Sequence, residues 1–225
     1  MRTFLLEYGL YGEWVLAAAE FVLMLILFSD YGKKHAPIIL WMGILGAGLF
    51  VDALIVGLGF KLIEPVLLIF SRARFALHGL MLPLNLTICA MAIPLRPIPR
   101  WCVYGLTPIL MALGGMAGWS RELALQDTIG DIVRFASVSP KDSWMEIVNS
   151  VITYGTIIVL IVTGIYMLLR ERSSSILLGS VLMFAFAALG PATGSFDLIF
   201  LISMFGELFL LLFFVVFEKR HVEEE

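Results

Sequence analysis

The stretch Phe70-Ser-Arg-Ala-Arg-Phe-Ala-Leu-His-Gly-Leu-Met-Leu-Pro-Leu-Asn85 sets two arginines and a histidine at the head of an apolar run. The chain around it is far more apolar still. Of its 225 residues 60% are hydrophobic and 15% charged, and the mean hydropathy is +0.99. A soluble domain is about half apolar and about a quarter charged. The surplus needs a solvent other than water, and lipid supplies it. The fold class implied is all-α, a polytopic helical membrane protein, with residues 1–225 forming one membrane domain.

Working outward from that stretch, seven segments have the length and apolarity of membrane helices, about 20 residues each. They are Glu13–Asp30, Ile38–Phe60, Phe75–Ile93, Trp101–Gly118, Ile147–Leu169, Ile176–Phe196 and Leu198–Phe217. The last two part only around Asp197, and Gly190-Pro191 is expected to break the sixth helix early. Trp14, Trp41, Trp101, Trp119 and Trp144 fall near predicted span ends, as interfacial anchors do. Gly43, Gly46 and Gly48 in the second span, and Gly114, Gly115 and Gly118 in the fourth, permit close helix approach.

Lysine and arginine in short connections set orientation. Lys33-Lys34, Arg96 with Arg100, Arg170 with Arg172, and Lys219-Arg220 all fall on one side if the N-terminus is outside and the C-terminus cytosolic. The opposite side carries Glu7, Lys61, Glu64 and the connection from Ser120 to Glu146. Met1 to Gly12 carries Glu7 and no basic cluster, so the start is not read as a cleavable signal. Within the connection, Leu125, Ile129, Ile132, Val133 and Ala136 recur at helical spacing. A short amphipathic surface helix is expected there, packed on the bundle.

A charge inside a span costs roughly 2.5–3.5 kcal/mol on insertion scales and is a functional candidate by default. The candidates are Glu20, Asp52, Arg72, Arg74, His78 and Glu207, with Asn85 deeper. In the expected topology all six ionisable groups occupy the outer half of the bilayer, with Arg74 and His78 one turn apart on one face. They are therefore expected to face the bundle interior and to lie together, the arginines offsetting the acids. Such a set suits a proton relay or a small-ligand site that opens outward, in a transporter or receptor. The alternatives are an intramembrane lipid-modifying enzyme, in which Arg72 and Arg74 hold a phosphate, and a structural subunit whose buried network fixes helix register.

Other chemistries find little support. A net charge of −3 with no basic stripe argues against a nucleic-acid partner. Cys89 and Cys102 are too few for a disulfide framework or a zinc site and are expected to be small buried hydrophobes. No Glu-x-x-His pair supports a metal, and the arginines would repel one. His35 and His221 lie on the opposite side from His78, which argues against haem. Nucleophile motifs such as Gly-x-Ser-x-Gly are absent. The partners expected are the lipid bilayer and a small molecule or lipid, at the cell membrane. Monomer and oligomer are both left open, and no cofactor is assigned.

Ala73-Arg74-Phe75-Ala76-Leu77-His78, followed by Pro83-Leu84, resembles the third helix of microbial rhodopsins. That helix begins Ala-Arg-Tyr-x-Asp-Trp and has a proline nine residues after its arginine. The resemblance implies a seven-helix scaffold with an outside N-terminus. The chain departs from the family at Leu77, in the counter-ion aspartate position, and at His78, in the tryptophan position. No lysine occurs in the seventh span, where Glu207 lies near the depth of the retinal lysine. A retinal Schiff base is therefore not implied.

Overall fold

The computed structural model describes residues 2–129, 132–193 and 199–222. Among the described residues the regular elements are helices apart from one hairpin. Its elements are α1 (Arg2–Lys34), α2 (Pro37–Leu58), a 3-10 turn (Gly59–Lys61), α3 (Glu64–Met81), α4 (Leu84–Ala92), α5 (Pro97–Trp119), β1 (Leu123–Ile129), β2 (Ile132–Ser137), α6 (Trp144–Glu171), α7 (Ser175–Thr193) and α8 (Ile199–His221). Among the described residues, six helical stretches are long and apolar enough to cross a membrane: Tyr8–Lys34, Pro37–Lys61, Glu64–Ala92, Pro97–Trp119, Trp144–Glu171 and Leu201–His221. Ser175–Leu189 of α7 is apolar but shorter. The boundary around Asp197, and the end of the sixth predicted span at Phe196, lie outside the described residues.

Local chemistry explains where the helices begin and end. α2, α3 and α5 each start with proline in the first turn, where the missing N–H would have no partner in any case. α6 starts with a Ser143-x-x-Glu146 cap, the Ser143 hydroxyl accepting from the Glu146 backbone N–H at 3.4 Å. It ends at Arg172, which takes the left-handed conformation (φ 53°). α3 and α4 are two halves of one span, broken at Leu82-Pro83, where proline cannot donate to the preceding turn.

Packed helices close a ring: α1 lies against α2, α2 against α3, α3 against α5, α5 against α6, α6 against α7, α7 against α8, and α8 back against α1. α3 and α5 approach most closely at glycines. A Cβ on Gly79 would run into the Gly114 backbone carbonyl, and one on Gly118 into that of Phe75. In α2, Gly43, Gly46 and Gly48 instead admit the side chains of Phe28, Leu211 and Met81. The end of the ring bearing Lys33 and Lys219 holds the larger apolar core, with Leu27, Ile39, Met42, Leu160, Ile176 and Phe214 among its buried residues. The outside of the ring is apolar where a soluble protein would be polar: Val22, Ile69, Ile109, Val151, Ile158, Val162 and Leu169 are all exposed.

Several sequence expectations are corrected. The connection after α5 is not an amphipathic helix but an antiparallel hairpin, pairing Leu123 with Ser137 and Gln126 with Arg134. Its buried residues on β2, Ile132 and Phe135, are three apart, which mimics helical spacing. β2 packs on α2, α3 and the 3-10 turn, and Gly59 leaves room for the Val133 carbonyl. α3 begins at Glu64, eleven residues before the expected Phe75, because Pro65 starts a helix that the apolar run Val66–Phe70 continues. α7 runs through Gly190-Pro191 to Thr193 instead of breaking there, as proline is often tolerated in apolar helices. Cys89 is buried, but Cys102 is exposed on the apolar exterior.

Replacing Gly79 by valine is expected to destabilise the bundle by about 1–3 kcal/mol or more, because backbone rather than a movable side chain opposes the new atoms. A lowered thermal midpoint of the detergent-solubilised protein checks this, with Gly105→Val, which meets nothing, as the control.

Candidate functional site

The earlier start of α3 changes the depth of the basic stretch. Arg74 lies ten residues into α3, about 15 Å along the axis, and His78 one turn further. Neither is at the mouth of the helix. Arg74 and His78 share a face, and that face lines a cavity of about 270 Å³ between α3, α2, α6, α7 and α8. Asp52 of α2 and Glu207 of α8 line it too, as do Asn149 and Thr153 of α6 and Ser203 of α8. Phe75, Ala187 and Met204 supply its apolar wall.

Within the cavity wall the charges are matched across elements. Arg74 Nε lies 3.4 Å from Asp52 Oδ1, joining α3 to α2, and both side chains are largely buried. Arg121, just before β1, donates to Glu146 Oε2 at 3.1 Å. The other Glu146 oxygen accepts from the Ser137 hydroxyl at 2.7 Å. One carboxylate at the start of α6 therefore holds both ends of the hairpin. Burial pushes the Arg121 pKa down from its usual value, and the Glu146 carboxylate opposes that shift. Both guanidiniums pack on the Phe75 ring, Arg74 at 4.7 Å and Arg121 at 5.0 Å from its centroid. His78 Nδ1 lies 4.0 Å from Glu207 Oε1, too far for a hydrogen bond but within ion-pair reach of a protonated ring.

The other expected site residues fall elsewhere. Glu20 is fully buried on α1, with no hydrogen-bond partner for either oxygen, and it does not line the cavity. It lies within electrostatic reach of Glu207 and Asp52. Arg72 is not on the cavity wall: two residues of α-helix turn it about 200° from Arg74. Asn85 is buried beyond the Pro83 break, between Leu84 and Ile88, which belong to the larger apolar core. Neither joins the cavity.

Sequence reasoning missed Glu13, Arg121, Glu146, Asn149 and Thr153. Glu13 looked like the edge of a span. It is fully buried in α1, without a hydrogen-bond partner, within electrostatic reach of Asp52, Arg74 and Arg134. Arg121 and Glu146 flank the connection, and only the hairpin brings them together. A second set of charges was also missed. At the other end, Lys34 pairs with fully buried Glu218 at 2.9 Å, and Lys219 with buried Asp30, tying the ends of α1 and α8 together. The lysines were read as orientation signals alone. The acid three or four residues before each lysine on α1 was the available clue.

Among the described residues no group of three or more His, Cys, Asp and Glu side chains is arranged to hold a metal ion. No family model matches the chain, and no curated protein matches it in sequence.

Removing one member of the Arg74–Asp52 pair leaves the other charge buried. Asp52→Asn is expected to cost about 3–5 kcal/mol of stability, and adding Arg74→Gln is expected to restore part of that loss. Denaturation of the two single variants and the double variant gives the coupling between the residues.

Proposed function

We propose that the protein is a multi-pass protein of the cell membrane that binds a small ligand, or passes protons, through an intramembrane polar cavity open to the outer face. This is a transporter or receptor type of function. The single observation that carries the reading is the cavity itself. Asp52, Arg74, His78 and Glu207 from three helices line a space deep in an otherwise apolar ring. What sets it apart is that ionisable side chains from three helices converge on it, whereas a cavity of about 290 Å³ nearby is lined by apolar residues alone.

In this reading α7 is the seventh span. Its 19 residues extend about 28 Å, close to the thickness of the hydrocarbon core. The lysine-rich end is cytosolic, by the loop charges, and the hairpin lies outside over α2 and α3. The larger apolar core then closes the cavity on the cytosolic side. The rhodopsin-like start of the third helix contributes at most a scaffold, because α8 offers Glu207 where a retinal lysine would stand.

Cysteine labelling in intact cells tests the orientation, in a background lacking Cys89 and Cys102. A cysteine at Ser139 is expected to react with an impermeant thiol reagent at once, and one at Ser174 only after permeabilisation. Native mass spectrometry of protein extracted in mild detergent tests the site. The wild type is expected to retain a bound small molecule that His78→Gln and Glu207→Gln both lose while remaining folded. Unchanged retention in both variants would contradict the reading.

A further inference from the structure

We infer that the ligand of the cavity is a small organic cation, held by the carboxylate of Glu207. The inference rests on the proposed role of the cavity and adds the charge class of what enters it.

The charges of the wall and their partners do not balance at Glu207. Each guanidinium on the wall already has a carboxylate from another element: Arg74 has Asp52 at 3.4 Å, and Arg121 has Glu146 at 3.1 Å. Both also lie against the face of Phe75. The positive side of the cavity is thus offset by the fold itself. Glu207 is the carboxylate left over. The charged partner given by the geometry is His78, at a distance beyond hydrogen bonding. Glu20, fully buried and without a hydrogen-bond partner, lies within electrostatic reach of Glu207 on the neighbouring helix. An entering ammonium gains most beside Glu207, whereas an entering anion must compete with Asp52 or Glu146 for its arginine.

The remaining wall suits such a ligand. Asn149 and Thr153 of α6 line the same cavity and offer oxygens that accept from N–H groups. Met204 and Ala187 leave room for a short alkyl chain. A cavity of about 270 Å³ suits a compact molecule.

Three probes of similar size and different charge decide the point: butylammonium, butanol and butyrate, titrated onto the full-length protein in lipid nanodiscs and followed by calorimetry and thermal shift. Butylammonium is expected to bind, and Glu207→Gln to weaken it at least tenfold. Ala187→Phe, which fills the cavity without altering a charge, is expected to abolish binding while the protein stays folded. Binding of butyrate in preference, lost in Arg121→Gln, would overturn the cation assignment and leave the cavity reading standing. Butylammonium binding that survives both Glu207→Gln and Ala187→Phe would also overturn the assignment. Absence of binding by all three probes would overturn the cation assignment; if the native small molecule were also retained by Glu207→Gln and His78→Gln, the cavity reading would fall with it.

Discussion

The pairing of Arg74 with Asp52 is the interaction on which the hollow end of the bundle depends. Either charge alone, carried into the hydrocarbon region, would be expensive. Together they fix the rotation of α3 against α2. That rotation sets His78 toward Glu207, turns Arg72 away from the cavity, and lays the Phe75 ring beneath Arg121. The glycine contact on the other side of α3, Gly79 against Gly114, holds the helix in the same orientation from behind. Polar pairing and close backbone packing thus specify one rotation from two sides.

The two ends of the ring solve the same problem differently. At the lysine end the acids Asp30 and Glu218 meet lysines from the adjacent helix, beside a core of large aliphatic and aromatic side chains. At the hairpin end the charges stand around a cavity of about 270 Å³. The chain around the hairpin adds two residues there, Arg121 just before β1 to the wall and Ser137 of β2 to Glu146. A sheet on the end of a helical ring is well suited to this. Its two strands return the chain to nearly the same point, so one carboxylate can hold both.

Much of the helical architecture was legible because a membrane imposes one strong constraint, a long apolar run for each crossing. The same constraint marked Asp52, Arg74, His78 and Glu207 as exceptions worth attention. Depth was less legible. The sequence offers two cues for the start of α3, Glu64-Pro65 and the arginines, and the basic pair looked like the interface although the helix begins well before it. The hairpin was hidden by apolar residues whose spacing matched a helix, although Gly130-Asp131 between Ile129 and Ile132 is also a turn signal. Glu13 and Arg121 sit at predicted segment edges, where charge is ordinary. Only the tertiary arrangement shows that both are buried.

The central claim is that a polar cavity reaches Glu207 from the outside, deep within a ring of apolar helices. Its most direct test is the reactivity of a cysteine at position 207 toward methanethiosulfonate ethylammonium applied to the outer face of intact cells, in a background without Cys89 and Cys102. The cavity predicts modification at 207, none at Leu212→Cys on the exposed apolar face of α8, and loss of the 207 reaction when Ala187→Phe fills the space. An unreactive position 207, in a protein that labels normally at Ser139→Cys, would contradict it.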